Sequence, residues 1–267
     1  MKKFETNIYK PVFCNLPIAF DKFRIAVVAD LHDWDYDGRL EQALLDCKPD
    51  MIAFIGDIVQ HKFDNHHLQD LFRASVKVAP CYFVTGNHEA RLSNLDQILK
   101  SIADLGCVVM EDNFKVVSRG NQSIVLLGLR DVQLFKKHEI DKKQLYKQQL
   151  LKLLQKSTNE SGNLPFRILL AHRPEFFEFY ADNGIDLTLS GHVHGGQIRL
   201  FNKALFGLNQ GIFPKYAAGL IERNSRYILV SRGLGHTKYT PLRINNKPEL
   251  AIVELNRSAD QTTQTLR

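Results

Sequence analysis

The chain has 267 residues, 44% of them hydrophobic and 24% charged, which is ordinary for a folded protein and excludes a disordered or collagen-like polymer. Its net charge of +6 suits an anionic substrate, nucleic acid or anionic lipid, but no long Lys/Arg block marks a nucleic-acid arm. No uncharged apolar stretch reaches the roughly 18 residues of a membrane-crossing helix, and Met1-Lys2-Lys3 leads into Phe4-Glu5-Thr6-Asn7 rather than an export signal.

An extended segment is expected over 1–20. Residues 23–29 then form a β-rich run that stops at Asp30. Residues 40–47 make a short amphipathic helix, ended by Lys48-Pro49. Strand 51–55 stops at Gly56-Asp57. Residues 68–78 read as a helix closed by Pro80. Strand 81–85 stops at Gly86-Asn87, and 92–105 is the next helix. This alternation predicts a parallel sheet with helices outside it. The middle changes character. Residues 108–110, 114–117 and 123–129 read as consecutive strands with a turn at Arg119-Gly120-Asn121, hence an antiparallel portion. A Lys/Gln-rich helix over 141–156 leads into a polar loop over 157–163. Strand 166–171 runs into His172, and strand 186–190 into Gly191-His192. Late strands lie at 227–231 and 250–255. Residues 256–267 are polar and read as a disordered tail. Neither an internal repeat nor a low-complexity linker interrupts the chain, so one domain over 1–267 is predicted, with its core at about 20–255. Cys14, Cys47, Cys81 and Cys107 form no C-x-x-C pair. Free buried thiols in a reducing compartment follow, and with no export signal a cytoplasmic location is expected.

One pattern recurs. A hydrophobic strand meets a polar, ligand-type residue at its end: Asp30-Leu31-His32, Gly56-Asp57, Gly86-Asn87-His88-Glu89, Ala171-His172-Arg173-Pro174 and Gly191-His192-Val193-His194. In open α/β sheets, sites assemble at the carboxyl ends of strands. The residue types are carboxylate, imidazole and one amide oxygen, the donors of hard-to-borderline divalent ions. A carboxylate at Asp57 can bridge two ions, and Asn87 is an odd choice for a structural zinc site. Each block alone is bland: Asp-x-His is an ordinary turn, Gly-Asp is commonplace, and a lone Asn is a turn residue. Their joint occurrence at strand ends points to a two-metal phosphoesterase, because paired ions both generate hydroxide and neutralise phosphate.

The five blocks resemble the calcineurin-like metallophosphoesterase superfamily, whose pattern is D-x-H, GD, GNH[ED], H and GH-x-H. Ala171-His172-Arg173-Pro174, the run Ser190-Gly-His-Val-His-Gly-Gly-Gln-Ile198 and Ser231-Arg-Gly-Leu-Gly235 are similar to the bacterial YaeI/YkuE-like phosphodiesterase subgroup. The likeness spans residues 20–255. It implies a four-layer αββα sandwich with two mixed β-sheets, and a metal-dependent phosphoric ester hydrolase. It also implies one ion on Asp30, His32, Asp57 and His194, and a second on Asp57, Asn87, His172 and His192, with Asp57 bridging. His88 is then no ligand but the catalytic residue that faces the scissile phosphate, as charge stabiliser or as acid to the leaving oxygen. The two divalent ions could be Mn, Fe, Zn, Ni or Co, since mixed N/O ligation accepts any of them.

The expected function is phosphodiester or pyrophosphate hydrolysis on a small or lipid-linked phosphoester. A metal-dependent nuclease is the enzymatic alternative, disfavoured because no aromatic-and-basic patch stacks bases. A non-catalytic scaffold is the third, and it would show a lost ligand; none is lost. No obligate protein partner is implied. Arg232 and His236, in a glycine-rich turn after a late strand, are candidate substrate-binding residues, with an ordinary turn as the alternative. His61, His66, His67 and His138 read as surface histidines. The run 201–216 is apolar and aromatic, carries Lys203 and Lys215, and is broken by Gly207, Gly211 and Pro214. It reads either as a loop packing Phe206, Ile212 and Phe213 inward, or as a flap that contacts an acyl chain or an anionic membrane.

Overall fold

A computed structural model describes residues 3–61, 63, 66–135, 141–161, 166–196, 198–200, 203–207, 211–235 and 243–258. Twelve strands build its two main sheets: β1 (Glu5–Tyr9), β2 (Arg24–Val28), β3 (Met51–Ile55), β4 (Cys81–Val84), β5 (Val108–Val109), β6 (Asn113–Arg119), β7 (Gln122–Leu129), β8 (Arg167–Ala171), β9 (Leu187–Ser190), β10 (Gly219–Arg223), β11 (Arg226–Val230) and β12 (Glu249–Glu254). The first sheet has the order β1-β12-β2-β3-β4-β5. The second has the order β10-β11-β9-β8-β7-β6. Both are mixed: β12 is antiparallel to β2, β10 to β11 and β6 to β7, while the central strands run parallel.

The layering follows from side-chain alternation along each strand. Ile25 and Val27 of β2, Met51 and Ala53 of β3, and Ile168 and Leu170 of β8 share one core between the two sheets. The alternate residues Ala26, Val28, Ile52 and Phe54 face α1 (Arg39–Cys47), α2 (His66–Val78) and α3 (Leu95–Asp104). Val125, Leu127 and Leu169 face α4 (Lys142–Ser161) and α5 (Phe177–Asp182). Helix, sheet, sheet, helix: the result is the four-layer sandwich. Strands covered on both faces need apolar residues along their buried length, which is why β3, and β2 and β8 after Arg24 and Arg167, read as unbroken hydrophobic runs.

Four departures from the expected elements have physical reasons. Val108–Val109 belongs to the first sheet, parallel to β4, so the antiparallel portion is the β6–β7 hairpin alone. Helix α4 runs on through the stretch expected as loop from 157, because the Ser157 and Thr158 hydroxyls bond back to the Leu154 carbonyl within the helix. The tail does not begin at 256: Asn256–Arg257 pairs in parallel with Val12–Phe13, and residues 259–267 lie outside the described ones. Cys81 and Cys107 are buried free thiols, but Cys14 is exposed. Among the described residues no helix is long and apolar enough to cross a membrane.

Parallel register aligns the ends that matter. Val28 pairs with Phe54 and Ile55 with Val84, so Asp30, Asp57 and Asn87 leave the first sheet on one edge. Leu170 pairs with Leu189 in the second sheet, which brings His172 and His192 out together.

Candidate metal centre

Asp30, His32, Asp57, His192 and His194 all adopt positive φ, between 49° and 75°. Residues with a Cβ rarely take this conformation, and such strain gathers at functional sites. Two glycines let the bent loops touch. A Cβ on Gly56 would overlap the Gly86 backbone, and one on Gly191 would lie 2.6 Å from Asp30 Oδ2.

The loops converge into one buried cluster holding Asp30, His32, Asp57, Asn87, His172, His192 and His194. His32 Nε2 lies 3.0 Å from His194 Nε2, which is itself 3.6 Å from Asp30 Oδ1. His172 Nε2 is 3.3 Å from Asp57 Oδ2 and 4.0 Å from Asp30 Oδ1. Asp30, His32 and His194 form one group whose ligand atoms lie within 4.8 Å of one another; Asp57, His172 and His192 form another. His32, Asp57 and His88 make a third such group between them. The His88 ring stands edge-on to His32 at 4.6 Å, its Nε2 3.9 Å from Asp57 Oδ2. It is half-buried, the most accessible of these side chains. The fit to cations rests on orphaned atoms. Asn87 Oδ1 and His172 Nε2 are buried with no hydrogen-bond partner among the described residues. His172 donates Nδ1–H to the Ile55 carbonyl at 2.7 Å, which turns Nε2 inward.

Burial dominates the electrostatics. It drives His192 and His194 well below the ordinary histidine range and His32 to about 4, so these imidazoles are neutral donors. Burial pushes Asp30 up to about 7, with His172 opposing and the Asp57 charge adding to the push. Burial also opposes the charge on Asp57, but His172, His32 and His88 outweigh it and hold Asp57 well below the carboxylate range. The same attraction lifts His172 against its burial to about 10.

Three supporting groups had no role in the sequence reading. Glu89, fully buried, accepts four backbone N–H groups: Asp57 and Gly86 on Oε2, at 2.8 and 2.9 Å, and Ile58 and Val59 on Oε1, at 2.7 and 2.9 Å. It clamps the Gly56-Asp57 turn to the Gly86 turn; a charged residue beside glycine turns was the available signal. Arg173 holds Asp131 through Nε and Nη2 at 2.7 and 3.1 Å, with Nη1 3.0 Å from His192 Nε2. Arg243 reaches the Arg232 and Gly235 carbonyls at 2.7 and 2.6 Å and lies 3.2 Å from His194 Nδ1. No local pattern signals that contact. The Arg232 guanidinium engages Glu249 and Glu5, each at 3.2 Å. His236 and His138 lie outside the described residues. His61 is exposed and pairs with Asp33 at 3.0 Å; His67 is 2.9 Å from the Asp33 carbonyl, and His66 is exposed at the start of α2.

Two packed mixed sheets with an Asp/His cluster on their shared carboxyl edge are the architecture of a metallophosphoesterase. Residues 23–196 match the calcineurin-like phosphoesterase family, and the chain belongs to it. It is 31% identical over 252 residues to the uncharacterized metallophosphoesterase YkuE of Bacillus subtilis (strain 168), a match covering 90% of this chain and 81% of that one. Phosphodiesterase YaeI of Escherichia coli (strain K12) is 28% identical over 249 residues, covering 87% and 82%. Among solved structures, GAP50, the anchor in the inner membrane complex of Plasmodium, superposes with a TM-score of 0.51 at 13% identity, over 86% of this chain and 79% of that one. That likeness concerns the fold alone.

Proposed function

We propose that the chain hydrolyses phosphodiester or pyrophosphate bonds with two divalent ions. The observation that carries this reading is the buried Asp/His cluster with its orphaned Asn87 and His172 donor atoms. In this reading Asp30, His32, Asp57 and His194 hold one ion, and Asp57, Asn87, His172 and His192 the other. Ions bound there would supply a nucleophile at neutral pH and neutralise phosphoryl oxygens. The protein's own part is positioning. Glu89 fixes the loop that carries Asp57, Arg173 fixes His192, and burial keeps the His32, His192 and His194 imidazoles neutral. His88, at the solvent side of the cluster, hands a proton to the leaving oxygen or stabilises its charge. The phosphodiesterase name of the E. coli relative supports the ester class. The test is turnover of bis-p-nitrophenyl phosphate by purified protein, stripped with chelator and reloaded with Mn, Fe, Zn, Ni or Co. Absence of turnover with every metal overturns the reading.

The finer reading is an amphiphilic ester met at an anionic membrane surface. Ile212 and Phe213 are 74% and 66% exposed, against the alternative that they pack inward. Ile198, Leu200 and Ile244 are exposed nearby, and the backbone ties Ile198 to Gly196, Leu205 to Ile198 and Phe213 to Leu205. An apolar ridge beside a catalytic cluster is the surface a lipid chain meets. Lys215 is exposed but engaged by Glu178, and the side chains of Lys203 and Phe206 lie outside the described ones.

A further inference from the structure

The short 3₁₀ turn Glu89–Arg91 follows His88 directly, and Arg91 N–H donates to the His88 carbonyl at 3.1 Å. In such a turn the side chains of residues i and i+3 eclipse, so Arg91 projects along the same edge as His88. Arg91 is exposed. Every other described arginine holds a carboxylate, a carbonyl or a hydroxyl. Arg24 and Arg173 grip Glu254 and Asp131, Arg232 grips Glu249, and Arg243 grips backbone carbonyls. Among the described residues the Arg91 guanidinium has no such partner. His61 is the other cationic candidate at this edge, but its Nδ1 is taken by Asp33. A permanent guanidinium with no such partner among the described residues therefore stands at the His88 edge of the cluster.

We propose that Arg91 is a specificity residue, and that the natural ester carries a second anionic group, a phosphate, on its leaving side. The inference rests on the reading of His88 given above. Guanidinium matches a phosphate in two-pronged geometry and keeps its charge at any physiological pH. A leaving group with its own phosphate makes the cleaved linkage a pyrophosphate diester. Water adds to one phosphorus, the bridging P–O bond breaks, and the bridging oxygen leaves on the second phosphate with a proton supplied from the site. The products are two phosphomonoesters and no co-reactant is needed.

The test compares two substrates and one inert ligand on metal-loaded protein. The substrates are bis-p-nitrophenyl phosphate, whose leaving group is a phenol, and a nucleoside diphosphate sugar. The ligand is the methylene-bridged analogue of that sugar, titrated by calorimetry. For Arg91→Ala the ratio of kcat/KM on the diphosphate to kcat/KM on the diester falls about tenfold, carried by KM, and the analogue binds about tenfold more weakly. Arg91→Glu falls further, and Arg91→Lys recovers part of the loss. An unchanged ratio in Arg91→Ala and Arg91→Glu, with unchanged analogue binding, overturns the proposal and leaves the phosphoesterase reading standing. So does an equal loss on both substrates. A wild-type protein that turns over neither substrate overturns the phosphoesterase reading, and this inference with it.

Discussion

The metal-ligand loops and the 198–213 segment adjoin at the His194–Gly196 turn, and they are built on opposite principles. In the loops, strained backbone is held by buried carboxylates, and each turn is fixed by several hydrogen bonds. In the segment, two-residue strands pair as small hairpins, and Ile212 and Phe213 stand in solvent. On the function proposed above, the difference separates two tasks. Chemistry on phosphorus needs a constellation fixed before substrate arrives. Contact with a substrate's remainder tolerates a lightly packed, apolar rim.

The sharpest test of that division is Asp57→Ala. In the proposed assignment Asp57 is shared by both ligand sets, and it accepts the His88 N–H at 2.8 Å. Elemental analysis is expected to find both ions lost, and turnover to vanish on every substrate. Two tightly held ions with near-normal turnover would show that the cluster is not the centre. His88→Ala comes next. Metal content is expected to stay, and turnover to fall by roughly 10²-fold. The loss shrinks for esters with good leaving groups if His88 protonates the leaving oxygen; an equal loss on good and poor leaving groups assigns it to charge stabilisation.

On the other side of the comparison, Ile212→Ser with Phe213→Ser is expected to weaken salt-sensitive co-sedimentation with anionic vesicles several-fold. Turnover of a small soluble diester should stay within about twofold, as for other surface changes away from the chemistry. If vesicle binding is absent in the wild type, the segment's exposed residues serve no lipid, and the soluble-substrate reading stands.

The smallest effect concerns the support under the loops. Glu111 accepts the Thr85 N–H and hydroxyl at 2.8 and 3.0 Å, directly before Gly86. Burial pushes its carboxyl from 4.5 to about 7. The folded state therefore binds this proton more tightly than the unfolded state, so the contribution favours folding at low pH. It is lost as pH rises from about 4.5 through about 7, because ionised Glu111 is costly in place. Since Glu111 is partly exposed, the loss is on the order of 1 kcal/mol. Melting temperatures at pH 5 and pH 8 are expected to differ less in Glu111→Gln than in the wild type. An identical difference would remove Glu111 from the account.

What the sequence made legible was short-range. A strand covered on both faces is apolar throughout, so the first ligand-type residue marks its end; Asp30, His172 and His192 stand out for that reason. The same logic located the parallel strands with helices outside them, while the four layers were implied by the family resemblance. Polar edge strands escaped it. β1, with its exposed Thr6 and Ile8, and β10, half-buried except at exposed Glu222, show no continuous run. Long-range partners escaped it too. Glu89 reaches back across 32 residues to Asp57, and Arg243 across 49 to His194, distances at which no periodicity carries a signal. The end of α4 was missed because hydroxyl-rich residues suit loops unless their hydroxyls bond back along the helix.

The place of β12 has a consequence for how the molecule is made. It is the last strand of its sheet in sequence, yet it lies between β1 and β2, and β2 leads into Asp30 and His32. Until residues 249–254 have been synthesised, β2 has one unpaired edge. At about 5–20 residues per second that interval lasts tens of seconds on the ribosome. An open strand that is apolar after its first residue, Arg24, is a template for pairing with another chain. Yield in a host cell should therefore depend on slow, cool expression or on abundant chaperones. The metal-ligand loops would acquire their shape only once residues 249–254 are in place beside β2.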